Sequence, residues 1–152
     1  MVNTKANSPS PEIVMEMKRH YQAFLRACTA LTLEQAQKKG ICGEWSAKAV
    51  IDHLSGWQYA SPSFLKKVLS FENPLLDVDI DAFNQNSVQD RQALSWQDSL
   101  AAFKDSFEAF EHALEDIPRG QFQKNAGLTA WVKAMNHEYV FHQAHIKKAQ
   151  ES

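Results

Sequence analysis

Long apolar runs are absent. Nothing in the 152 residues approaches the roughly 20 consecutive apolar positions that cross a bilayer, so no membrane partner is expected. An excess of basic charge is missing as well. Sixteen Lys and Arg against eighteen Asp and Glu leave a net charge of −2, and no Lys/Arg run stands out. Nucleic-acid binding draws on a basic surface that displaces counterions, so no nucleic-acid partner is expected. Cysteine is scarce: Cys28 and Cys42 have no CxxC spacing and make neither a disulfide framework nor a zinc knuckle. A reducing cytoplasm is the simplest compartment. The opening "MVNTKANSPS" has no apolar h-region, so it does not read as a signal peptide. Residues 1–10 read instead as a frayed polar tail ahead of one domain over 11–152. Strand alternation, internal repeats and low-complexity segments are also lacking.

What remains is helical periodicity. Ser10-Pro11-Glu12 reads as a cap followed by a proline at the first helical position, where its missing N–H costs nothing. Val14, Met17, Tyr21, Phe24, Leu25, Cys28 and Leu31 follow at helical spacing, which makes Cys28 a core thiol. A second helix is capped by Ser46, with Trp45 and Val50 placed as a hydrophobic staple. Its stripe runs through Leu54, Trp57, Ser61, Leu65 and Val68, and Pro62 predicts a kink, or a break with Ser61 as a new cap. A third helix opens at Ser95-Trp96-Gln97-Asp98, close to a capping box, and carries the ladder Trp96, Leu100, Phe103, Phe107, Phe110, Leu114 and Ile117. The last helix begins near Thr129. Residues 71–94 are long enough to cross the whole molecule, with a short helix around Asp81–Gln89. The expected fold is therefore an all-α four-helix bundle, up-down-down-up, with the long crossover between helices 2 and 3.

The last helix reads "NHEYVFHQAHIKK" over 136–148. Each helical residue turns about 100°, so from Trp131 the side chain of Met135 lies at about 40°, Glu138 at about −20°, His142 at about 20° and Ile146 at about 60°. Glu138 and His142 thus sit inside an apolar stripe, one turn apart on one face. His145 lies at its edge, and His137 points towards solvent or a subunit contact. A buried carboxylate needs a partner, a proton or a metal. Three arrangements answer that need: a Glu138–His142 hydrogen bond at a wet end of the bundle, a positive residue from another helix, or a divalent ion with a third ligand from a facing helix. His53, one turn before Trp57 at the border of its stripe, is a candidate for that third ligand, or a boundary histidine satisfied by water or a carbonyl. His20 and His112 fall on or near polar faces and belong to no constellation.

"GEWSAKAVIDHLSGWQ" at 43–58 resembles the helix-2 signature of the DinB-like superfamily, in which a cap after a Trp leads to a His-Leu pair and then a Trp. "DIDAFNQNSV" at 79–88 and "LSWQDSLAAFKDSFEAFEHAL" at 94–114 are similar to its crossover and third helix, and "HEYVFHQAHI" at 137–146 to its terminal helix. The resemblance runs from about Ile13 to Lys148. It implies an up-down-down-up bundle, often a homodimer, with a divalent metal held by a helix-2 histidine and an i, i+4 pair from the last helix. Carried onto this chain, those ligands are His53, Glu138 and His142. The common pattern has histidine at the first place of the pair; glutamate there resembles the branch with mycothiol-dependent maleylpyruvate isomerase. His145 or His137 in place of Glu138 would be an alternative register that matches the helical face less well.

Two imidazoles and a carboxylate suit zinc, and also Fe(II); nickel is known in the family. Such an ion acidifies water or a thiol near neutral pH. The resemblance implies a metal-dependent enzyme, a transferase or isomerase using a low-molecular-weight thiol, or a hydrolase, acting on a small-molecule substrate. Trp57, Trp131 and Tyr139 are expected to wall its pocket. The alternative is a non-catalytic stress-response or detoxification module like the ClbS/DfsB-like branch. Cys42, in the loop "GICGEW", would lie near the mouth of the site as an ordinary loop cysteine.

Overall fold

The computed structural model describes residues 11–152, so the expected tail over 1–10 and the cap Ser10 lie outside the described residues. Seven helices and no strand occur among the described residues: α1 (Glu12–Thr29), α2 (Leu33–Gln37), α3 (Ala47–Leu69), α4 (Ile80–Asp90), α5 (Trp96–Glu115), α6 (Gln121–Lys124) and α7 (Ala126–Gln150). None is long and apolar enough to cross a membrane.

Pairs of residues across the long helices give their directions. From α3 to α7, His53 meets His142, Gln58 meets Tyr139, Ser61 meets Trp131 and Val68 meets Asn125, so these two run antiparallel. From α1 to α5, Lys18 meets Glu111, Tyr21 meets Phe107 and Phe24 meets Phe103, again antiparallel. From α1 to α7, His20 meets Asn136 and Ala27 meets Gln150, so this pair is parallel. The bundle is up-down-down-up, as the long crossover requires, and α4 fills the crossover almost where the sequence places a helix.

The aromatic ladder forms the centre. Tyr21 stacks on Phe107 with ring centroids 3.5 Å apart, while Phe24, Phe103, Phe110 and Tyr139 are fully buried. Truncating a buried Phe of this kind costs about 3–5 kcal/mol. One polar thread runs through this core. The Tyr139 hydroxyl donates to Gln58 Oε1 at 2.7 Å, and Gln58 Nε2 donates to Phe103 O at 2.9 Å and to Ser106 Oγ at 2.7 Å. It joins α7, α3 and α5 with the amide fully paired, as burial demands.

Two local expectations are corrected, the break at Pro62 is excluded, and one short helix is added. Pro11 occupies the cap position itself (φ −54°, ψ 144°) rather than the first turn, and its carbonyl accepts from Val14 N and Met15 N. Helix α3 continues through Pro62 without a break: Ser61 starts no new helix because its hydroxyl is already used, donating to Trp57 O at 2.8 Å. Helix α7 begins at Ala126 rather than near Thr129, because the Asn125 side chain accepts from Leu128 N while donating to Val68 O at 2.8 Å. The five-residue α2 was not anticipated; Thr32 and Gln35 make a reciprocal capping box that starts it. Ser46 and Ser95 cap α3 and α5 as read, accepting from Ala49 N and Asp98 N.

Candidate metal centre

The α3–α7 interface brings His53, Glu138 and His142 together. One ligand atom from each lies within 4.8 Å of the others. His142 Nε2 stands 3.1 Å from Glu138 Oε2, one helical turn away, and His53 Nε2 stands 3.9 Å from the same oxygen. Both histidines are buried; Glu138 is half-buried. His53 is interior although its own stripe places it at a border, because α4, α5 and α7 all pack on α3 and leave almost no polar face between Val50 and Gln58. The His53 and His142 rings meet edge to face, 5.5 Å apart.

Burial works against the charge on Glu138, but the His142 hydrogen bond and the nearby His53 imidazole outweigh it and bring its pKa down to about 2. The carboxylate is therefore ionised throughout the neutral range. Two ligands about 2.0–2.2 Å from a tetrahedral ion lie roughly 3.3–3.6 Å apart, and 3.1 Å and 3.9 Å bracket that span. Among the described residues His53 Nδ1 is buried without a hydrogen-bond partner, and ring contacts with Trp45, 5.1 Å away, and with His142 orient the imidazole. Donor set and spacing fit a divalent ion.

A cavity of about 880 Å³ reaches Glu138 from one side. Trp57, Trp131 and Met135 line it together with the carboxylate, as do Phe71, Leu75 and Ile80 from the crossover, and Asn84, Glu72 and Lys124 are among its polar groups. The two indoles are held by hydrogen bonds: Trp57 Nε1 donates to Asn84 Oδ1 at 2.7 Å and Trp131 Nε1 to Ser61 Oγ at 3.0 Å. Tyr139, expected on this wall, is elsewhere: it is fully buried among Tyr21, Phe24 and Phe107, with its hydroxyl on Gln58. Position 139 follows Glu138 by about 100°, which turns it into the bundle centre.

His145 is half-buried, with its Nδ1 3.0 Å from Nδ1 of His142, so it neighbours the pair without displacing Glu138. His137 is exposed and stacks on the exposed Phe141. Cys28 is a fully buried core thiol whose pKa burial pushes up. Cys42 is half-buried and comes close to His142 and His145, which the loop sequence foretold only as proximity to a mouth. His20 pairs with Asn136 at 2.6 Å. Gln58 and Asn84, which support Tyr139 and Trp57, belong to no sequence motif; a Gln beside the apolar stripe of α3 is the one signal for the first.

Neither the curated proteins nor the solved structures contain a match to this chain. A family model described as the DinB superfamily matches residues 16–146, a span that includes all three clustered side chains and both indoles. The chain belongs to the DinB superfamily.

Proposed function

We propose that this protein is a divalent-metal-dependent enzyme acting on a small molecule, a thiol-dependent transferase or isomerase or a hydrolase, with His53, Glu138 and His142 holding the ion. Zinc suits the donor set best, and nickel or Fe(II) are the other candidates. When bound, the ion supplies a Lewis acid that acidifies a thiol or water. The observation that carries this reading is that Glu138 belongs both to the three-donor cluster and to the wall of the cavity. A molecule in the cavity therefore meets the ion position through Glu138 and no other member of the cluster.

The rest follows from the lining. Trp57 and Trp131 offer flat apolar surface, while Lys124 and Glu72 add one charge of each sign to the lining. That combination suits a substrate with an apolar or aromatic body, its reacting group at the Glu138 end; the size falls in the roughly 300–1,000 Å³ typical of small-molecule sites. Glu138, held ionised by its histidine neighbours, orients that group and is the chain's only carboxylate in the cluster.

The hydrogen bond that already joins His142 to Glu138 favours a second reading, in which the pair is satisfied without an ion and the chain is a non-catalytic stress-response or binding module. Elemental analysis of tag-free protein purified without a nickel column separates the two. The enzyme reading expects about one ion per chain in the wild type and its loss in His53→Ala and His142→Ala. A wild type that takes up no ion even after dialysis against zinc overturns it in favour of the second.

A further inference from the structure

A second donor set adjoins the first. One ligand atom each from Cys42, His142 and His145 lies within 4.8 Å of the others, so His142 is common to both clusters. Its two nitrogens face different neighbours: Nε2 stands 3.1 Å from Glu138 Oε2, and Nδ1 stands 3.0 Å from Nδ1 of His145. Cys42 is held there by a built turn. Trp45 N donates to Cys42 O at 2.9 Å, Cys42 N donates back to Trp45 O at 3.3 Å, and the Trp45 ring lies against His53. Lys148 of α7 donates to Gly40 O at 3.1 Å and fastens the turn to the helix that carries both histidines. The turn that holds the thiol thus also touches His53 of the first cluster.

We propose that Cys42, His142 and His145 form a second, sulfur-containing metal position that takes a thiophilic divalent ion in competition with the position formed by His53, Glu138 and His142. One thiolate and two imidazoles are a softer set than two imidazoles and a carboxylate, so the two positions rank ions differently. Occupying the second position breaks the S–H bond of Cys42 and releases the proton to solvent, leaving the thiolate as ligand. Competition follows from the shared ring. A neutral imidazole has one lone pair and one N–H. An ion bound through Nε2 leaves the proton on Nδ1, where it is donated to His145; an ion bound through Nδ1 leaves the proton on Nε2, where it is donated to Glu138. His142 serves one position at a time. The competition rests on the function proposed above, whereas the sulfur position stands without it.

Cadmium(II) added to metal-stripped, tag-free protein is the test, read by the near-ultraviolet thiolate-to-metal charge-transfer absorption, with thermal unfolding as the check on folding. The wild type and Glu138→Gln should both develop the band and saturate at one ion per chain. Cys42→Ser, an isosteric change in a loop, should lose the band while still taking up zinc. His145→Ala should weaken cadmium binding by more than the roughly 10–100-fold that loss of an outer partner costs. A wild type without the band, or a band that survives Cys42→Ser, overturns the sulfur position; two ions per chain overturn the competition. A wild-type band with no zinc uptake by Cys42→Ser sinks the proposed function alone, and a wild type that takes up zinc without developing the band sinks this inference alone.

Discussion

His53 Nε2 faces Glu138 Oε2 across the antiparallel α3–α7 interface at 3.9 Å. The separation is too long for a hydrogen bond and close to that of two ligands around one small ion. Glu138 pairs closely only with His142, its neighbour one turn on, at 3.1 Å. The interface therefore holds one histidine that the carboxylate engages and another that it only approaches. An ion between the three would use His53 Nε2, which at this distance makes no hydrogen bond to the carboxylate.

Zinc should accordingly stabilise the folded chain. At a free concentration 100-fold above Kd, binding to the native state alone adds about 2.7 kcal/mol, which for a chain of this size raises Tm by roughly 5–10 °C. A thermal melt with and without zinc, run in Cys42→Ser so that only the first donor set is left, should show that rise with His53 present and none after His53→Ala. An equal rise in His53→Ala would mean that the ion binds elsewhere.

Acid should act through Glu138 in the metal-free protein. Its folded pKa, about 2, lies below the ordinary 4.5, so the stability it confers is fully present above about pH 4.5 and drains away as pH falls towards 2. Urea midpoints of Glu138→Gln should therefore lie below those of the wild type at pH 7 and approach them near pH 2.5. A gap between the two that widens on acidification would contradict the assignment. Because the side chain is 34% exposed, solvent screening keeps the gap at pH 7 well below the full electrostatic value.

Much of this was legible beforehand because helices carry a strict period. The stripe through Trp131, Met135, Glu138, His142 and Ile146 is buried except at Glu138, which faces the cavity. Parallel and antiparallel pairings followed from one long connection. The sequence period fails where burial is decided by more than one neighbour: His53 reads as a border residue on α3 alone, yet α3 is enclosed on several sides. It fails again where no period exists. Residues 71–79 have no helical pattern, so the cavity wall contributed by Phe71 and Leu75 was invisible. Cys42 reaches the histidines only because Gly40 and Gly43 take positive φ values, 93° and 57°, on either side of the turn. Such backbone geometry has no signature in side-chain hydropathy.

The buried thread from Tyr139 to Gln58 should be coupled rather than additive. Tyr139→Phe leaves Gln58 Oε1 without its donor, and Gln58→Leu leaves the Tyr139 hydroxyl without its acceptor and Ser106 Oγ without its donor; each unsatisfied group costs about 1–3 kcal/mol. The double variant should lose less than the sum, since the Tyr139–Gln58 bond can be lost only once. Denaturant unfolding of the three variants measures the difference. Strict additivity would show that the hydroxyl and the amide do not depend on each other.

Gly56 sits where α3 packs directly against Ser87 of α4. A Cβ added there would lie 2.6 Å from Ser87 Cβ, and Ser87 cannot swing aside because its own Cβ is the obstacle. Gly56→Ala should cost about 1–3 kcal/mol and push α4 away. As α4 carries Asn84, the hydrogen bond to Trp57 Nε1 should weaken too, visible as a shift in tryptophan emission. The companion change Gly56→Ala with Ser87→Gly should restore both. Failure of that rescue would place the strain somewhere other than the α3–α4 contact.

The cavity and the ion position are separable by mutation. Ala130 lines the cavity but belongs to neither donor cluster, and it lies two turns of α7 before Glu138. Ala130→Trp would fill the space in front of Trp131 and leave His53, Glu138 and His142 in place. An apolar anilinonaphthalene dye should therefore bind the wild type and lose most of its affinity in Ala130→Trp, while zinc content stays at one ion per chain. Conversely, His53→Ala should lose zinc and keep the dye. If Ala130→Trp also loses zinc, the two are one site and the indole walls help to hold the ion. If it loses neither, the cavity does not take apolar molecules in solution, and the proposed substrate class has to be abandoned even where the metal centre stands.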